Sequence, residues 1–155
     1  MQAFASHQGT WTGTNSFRLM PTDPPHVASA TAEVSVAAGG NLTQIAYTWS
    51  HPEAGAQDGL LVVGPDNEPG GVVSMWGDSW HQAPAPKTLA GGIDGRVITV
   101  SYSYAGDWQW IIMVDATDAG LLRMRMDNVV PPSAATSEHA AGGYWAMNAE
   151  LRRSA

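Results

Sequence analysis

The residues best placed to do chemistry lie in SMWGDSWHQAP, Ser74 to Pro84. One acid, Asp78, stands two residues from Trp76 and two from Trp80, with His81 next in line. On an extended strand residues two apart share a face, so Asp78 falls in a tryptophan-lined row while His81 points the other way. If that row faces inward, the carboxyl loses water and its pKa rises, unless a cation or several hydrogen-bond donors offset the desolvation. The group is then either a proton donor or acceptor for a ligand, or a buried anchor paired with neighbouring backbone or an Arg near the rim. A catalytic pair of Asp78 and His81 meets a geometric obstacle. Three residues of regular strand span roughly 10 Å and end on opposite faces, whereas proton transfer needs roughly 3 Å. The pair therefore requires a bulge at Ser79 or Trp80; without one, His81 is a rim residue.

Other chemistries find less support. Arg123 and Arg125 alternate with Met124 and Met126. Read as a half-buried strand, they form a solvent-facing basic stripe balanced by Asp127. With the parity inverted, Arg125 enters the interior and holds a ligand carboxylate by a two-pronged hydrogen bond; Arg18 has the same ambiguity at the barrel mouth. His7, His26, His51, His81 and His139 are scattered with no pair at ligand spacing, so no metal site is expected, and HPE at His51 reads as a loop. There is no Gly-x-Ser-x-Gly elbow and no phosphate-cradling glycine loop. The absence of Cys excludes disulfides, thiolate metal sites and a cysteine nucleophile.

The elements that must position these residues are strands. The 155 residues suit one domain, residues 1–155, with only 14% charged side chains and seven Trp. No long window has apolar residues at helical spacing, whereas short period-two runs rich in Val, Thr, Ile, Trp and Tyr recur throughout. Strands are expected at about 9–19, 27–37, 41–50, 57–64, 71–81, 87–93, 95–104, 107–115, 120–128 and 142–153. AAGGN, PDNEPGG, IDG, YAGDW and TDAG are turn chemistry, so successive strands are antiparallel neighbours. So much strand is most economically closed into an all-β, antiparallel, up-and-down barrel of about ten strands, which removes the edges. The loops MPTDPPH, HPEAGAQ, HQAPAPK and VVPPSAATSEHAAGG should crowd its mouth. A formal charge of -7 disfavours nucleic acid and anionic membrane as partners. With no signal-like start and no membrane-length apolar run, the chain reads as cytoplasmic.

Parity then predicts the lining. If Trp11 points inward, Gly13, Asn15, Phe17 and Leu19 follow it. By the same test Tyr47 and Trp49, Trp108 and Trp110, Met124, Met126 and Asn128, and finally Trp145, Met147 and Ala149 face the interior. Such rows either pack the barrel shut or leave a Trp- and Met-lined cavity, in which small residues leave room and Met adapts to a ligand. In the second case Asn15, Phe17, Tyr47, Trp49, Trp76, Trp80, Trp110, Met124, Asn128 and Trp145 contact the ligand, with Arg125 if its strand is inverted.

GTWTG, Gly9 to Gly13, resembles the Gly-x-Trp signature of the calycin barrels: lipocalins, fatty-acid-binding proteins and nitrobindins. Together with RLMPTDP, DSWH, LRMRMDN and the terminal ELRR, it makes the chain similar to a bacterial domain-of-unknown-function family with a calycin-like fold. The resemblance spans nearly the whole chain and implies a barrel whose Trp11 plugs the closed end. It implies no established reaction. Fatty-acid-binding proteins insert a helical lid after the first strand; here Met20 to His26 leave no room for one. Nitrobindins carry a haem-ligating His near the last strand; here YWAMNAELRR offers Met147 and Asn148, so no haem or other cofactor is expected. These readings converge on a protein that encloses a small, largely apolar or aromatic ligand. The alternatives are a cofactor-free isomerase or cyclase using Asp78 as general acid or base, and a barrel packed shut whose low-charge outer face serves a homodimer.

Overall fold

The computed structural model describes residues 2–81 and 85–154, the side chains of Gln2 and Ala3 excepted; part of the HQAPAPK loop lies outside the described residues. Ten strands form: β1 (Gly9–Phe17), β2 (His26–Ala37), β3 (Leu42–His51), β4 (Gly55–Pro65), β5 (Gly71–Asp78), β6 (Lys87–Asp94), β7 (Val97–Tyr104), β8 (Trp108–Asp115), β9 (Leu121–Val130) and β10 (Gly142–Arg153). Each pairs antiparallel with its sequence neighbours, and β1 pairs with β10 to close the barrel. This up-and-down closure is consistent with a calycin-like fold. The turns follow the sequence: Gly95, φ 58°, takes the first of the two loop positions between the paired Asp94 and Val97, where a tight hairpin needs a residue free of Cβ strain. Among the described residues no helix is long and apolar enough to cross a membrane.

One feature was not legible as periodicity, a short 3-10 segment at Gln2–His7. It buries Phe4 and His7 completely at one end of the barrel. There Trp11, fully buried, stacks on His7 at 5.3 Å and donates Nε1–H to the His7 carbonyl at 2.9 Å. The Arg153 guanidinium lies 4.6 Å from the Trp11 ring centroid and donates to the Ser6 and Gln8 carbonyls. Trp11 is thus the plug of a closed end, as the GTWTG resemblance implies.

Inward parity holds for Trp11, Asn15, Phe17, Ile45, Tyr47, Trp49, Trp110, Met124, Met126 and Asn128, all buried. Three expectations are corrected. The pairing of β10 with β9 shifts register between Trp145 and Met147, which puts Tyr144 inward beside Asn128 and turns Trp145 outward beside Asp127. Trp145 therefore contacts no interior space, and the Arg18 guanidinium stacks on its outer face at 4.0 Å. Arg125 faces solvent, holding Asp127 at 2.6 Å and 3.0 Å, because Met124 and Met126 take the inward positions. Leu19 lies beyond the end of β1 and is exposed.

The facings predict unequal costs. Trp11→Ala should remove about 3–5 kcal/mol of stability. Trp145→Ala should remove only about 0.5–1 kcal/mol, the worth of an exposed cation–π contact. Urea unfolding of the two variants checks the assignment, and equal losses would contradict the bulge.

Candidate functional site

The odd-numbered strands end where the even-numbered ones begin, so their C-terminal residues meet at the barrel end opposite the plug. Three adjacent strands set a row there: Tyr47 on β3 pairs with Gly59 on β4, which pairs with Asp78 on β5. A Cβ on Gly59 would overlap the Tyr47 ring, so the glycine is what lets that ring lie across β4. The Tyr47 hydroxyl thereby reaches Asp78 Oδ2 at 2.8 Å, Trp49 Nε1 donates to the same oxygen at 3.0 Å, and Trp76 Nε1 donates to the Tyr47 oxygen at 2.7 Å.

Asp78 is the last residue of its strand, which ends three residues earlier than the 71–81 pattern suggests. A turn follows, tied by Ser79 N–H to the Asp58 carbonyl at 2.8 Å. The turn folds back on the carboxyl: the backbone N–H groups of Trp80 and His81 and the His81 ring Nδ1 all lie 3.0 Å from Oδ1. An acid whose side chain bonds the backbone two residues on is a standard turn-former. The pair does not need the bulge that a continuous strand would require, because the strand ends at Asp78 and this turn brings Asp78 and His81 together.

Burial alone would push the Asp78 carboxyl up, but the hydrogen bond and charge attraction of His81 and the backbone N–H groups of His81 and Trp80 outweigh it and hold the group below the usual carboxylate range. The pKa rise inferred from the tryptophan row is therefore corrected: the row faces inward, and enough donors converge to stabilise the anion. Burial, then the Asp78 charge, push the Tyr47 phenol well above its usual value, so Tyr47 stays a donor. Because Asp78 is a carboxylate, His81 Nδ1 carries the proton of their contact.

Around this pair the aromatic residues form one cluster. Trp80 lies past the strand end but remains packed, stacked on His51 at 4.6 Å and edge-on to Phe17 at 5.6 Å. Nδ1 of His51 accepts from the backbone N–H groups of Glu53 and Ala54, which leaves the proton on Nε2. HPE as a loop missed this residue, although the inward parity of Tyr47 and Trp49 extends to it. Asn128, the other inward polar residue at this end, is tied by Tyr104 at 2.7 Å and Tyr144 at 3.1 Å, and Tyr144 in turn donates to the Leu19 carbonyl.

Deeper in the barrel lies a small chamber of about 20 Å³, lined by Ala30, Ala32, Met124, Met126, Met147 and Asn15 among others. Of the seven tryptophans only Trp49 borders it; the rest pack against neighbours rather than wall a large cavity. Asn15 is 2% exposed, and among the described residues neither its Nδ2 nor its Oδ1 has a hydrogen-bond partner. The Nε1 of Trp110 is also buried and without a partner among the described residues. Among the described residues no three His, Asp or Glu side chains gather where they could hold a metal ion. No protein-family model matches the chain, and no curated protein matches it either.

Replacing Asp78 by Asn turns an acceptor into a donor facing donors, and should cost about 3 kcal/mol at pH 7. A depressed folded pKa stabilises fully above the unfolded value of about 3.9 and ceases to do so as pH falls through the folded one. The stability gap between wild type and Asp78→Asn should therefore narrow below about pH 4. Urea unfolding at pH 7 and pH 3 measures it; a gap independent of pH would mean that Asp78 is not the anion described.

Proposed function

We propose that the protein is a calycin-like, cytoplasmic binding protein whose barrel receives a small, largely apolar or aromatic ligand. Asn15 carries the reading. A buried amide without a partner costs about 1–3 kcal/mol, and its cost is offset when a ligand supplies the missing hydrogen bonds. The surrounding walls suit that role: Ala30 and Ala32 keep one side low, while Met124, Met126 and Met147 are unbranched and repack around a guest. A chamber of about 20 Å³ is the size of about one water, so a larger guest enters as the methionines rotate. The polar group that orients the guest is Asn15 rather than Asp78, whose oxygens already receive five hydrogen bonds. The formal charge of -7 supports a small-molecule partner over nucleic acid or anionic membrane, and the GTWTG and ELRR motifs support the calycin-like assignment.

Titration with neutral fluorescent probes such as N-phenyl-1-naphthylamine should give saturable one-to-one binding. Asn15→Leu, similar in volume, should raise stability by about 1–2 kcal/mol and weaken guests that carry an amide or hydroxyl. If no neutral probe binds, and Asn15→Leu loses stability, the amide is structural and the reading fails.

One observation favours a second reading, a cofactor-free enzyme: the 3.0 Å contact of Asp78 Oδ1 with His81 Nδ1. Asp78 then orients the ring, and Nε2 of His81 moves the proton. Native mass spectrometry of protein from its own source separates the two. A single retained compound supports binding; a substrate and product pair whose ratio changes in His81→Ala supports the enzyme.

A further inference from the structure

The His81 imidazole sits inside a box of indoles. Its ring centroid lies 4.8 Å from that of Trp80, 5.0 Å from Trp110, 5.3 Å from Trp49 and 5.9 Å from Trp76. The Asp78 carboxylate closes the box with Oδ1 3.0 Å from Nδ1. Indole faces attract a cation within about 6 Å, and most strongly where water is excluded. Among the described residues Asp78 has no Lys or Arg as an ion-pair partner, and His81 stands opposite its charge. Walls of this kind with an anion at the base form a receptor for a planar, positively charged nitrogen group, and the protein places its own nitrogen heterocycle there.

One further feature distinguishes the box from ordinary core, the way His81 is held. It lies beyond the end of β5, and among the described residues its side chain is held by one hydrogen bond and by packing against the surrounding rings, with no covalent or ladder tie of its own. If the ring rotates out, Asp78 keeps four donors: the Tyr47 hydroxyl, Trp49 Nε1 and the backbone N–H groups of Trp80 and His81. These four donors hold the carboxyl and the turn in place, and a cationic ligand would restore the charge partner that the ring supplied.

We infer that the indole box above Asp78 is a binding site for a small aromatic amine or cationic nitrogen heterocycle, and that His81 is its built-in occupant, displaced when such a ligand binds. The site lies beside the Asn15 chamber, to which it is joined by the Trp49 wall and by Tyr47, whose hydroxyl bonds Asp78, and it does not depend on a guest binding there. The protein's charge of -7 draws cations toward it.

The test compares benzylamine, a cation at neutral pH, with benzyl alcohol, its neutral counterpart of similar shape, by calorimetric titration. His81→Ala vacates the box. His81→Asn vacates most of it and retains an N–H for Asp78, so at least one variant keeps the fold, as circular dichroism checks. An occupant lowers apparent affinity by the fraction of time it is in place. Benzylamine should therefore bind the folded variants at least tenfold more tightly than wild type, and at least tenfold more tightly than benzyl alcohol does. Adding Asp78→Asn should abolish the preference for the cation. Equal benzylamine affinity in wild type and variants would show that His81 does not compete for the site. Equal affinity for the two probes would reduce the box to an apolar hole. Absence of binding to a folded variant would overturn the inference outright.

Discussion

A carboxylate removed from water must be given its hydrogen bonds by the protein, and at Asp78 that requirement organises three strands and a turn. Oδ2 takes its donors from β3, through Tyr47 and Trp49, while Oδ1 takes three from the turn that ends β5. The first set depends on β4 having no side chain at Gly59, because the Tyr47 ring occupies that space. The second set decides where β5 stops: at Asp78 the backbone leaves the ladder to wrap its own side chain. An isolated buried carboxylate is costly enough to neutralise itself by taking up a proton. Here convergence of donors, rather than an opposing Arg or Lys, keeps the anion, and Trp76 extends the network by donating to Tyr47.

The same barrel treats its two ends differently. At the plug, Trp11 is held between His7 and Arg153, and its only polar atom is paired with the His7 carbonyl. At the other end, Phe17, Trp49, His51, Trp80 and His81 meet stacked, tilted or edge-to-face at centroid distances of 4.6–6.2 Å. Aromatic pairs of this kind contribute about 0.5–1.5 kcal/mol each beyond their buried area. Antiparallel order explains the segregation. Asn15 and Phe17 on β1 run toward the same end as Tyr47 to His51 on β3 and Trp76 to Asp78 on β5, so rings spaced far apart in the chain become neighbours.

Strand number, barrel closure and most facings were legible because period-two alternation survives wherever one face is buried. What sequence could not show were local departures from that period. The bulge on β10 turned Trp145 out and Tyr144 in. The turn after Asp78 joined a carboxylate to a histidine that regular spacing keeps apart. The direction of the Asp78 pKa shift depended on the donors that this turn supplies, the His81 ring and the backbone N–H groups of His81 and Trp80. Asn15 could be read as inward, but that its amide has no partner is a property of what surrounds it. The segment Gln2–His7 is too short to carry a helical period of its own.

Which polar groups are satisfied, and which are not, separates structure from function in this interior. Native interiors pair nearly all buried donors and acceptors, and the Asp78 network does so for a group that would be among the most costly to leave unpaired. Among the described residues Asn15 and the Trp110 indole nitrogen stand outside that economy, as do Thr43 Oγ1 on β3 and Ser74 Oγ on β5. Unpaired groups at about 1–3 kcal/mol each are a sizeable fraction of a domain's 5–15 kcal/mol. Trp49 lies between the first two. It borders the chamber that Asn15 faces, packs on His81, and cannot turn without breaking its hydrogen bond to Asp78. Adaptation must therefore come from elsewhere: from the methionines on the chamber side and from the His81 ring on the box side. A rigid wall with a soft element on each face lets each compartment change its contents without disturbing the carboxylate that holds the strands together.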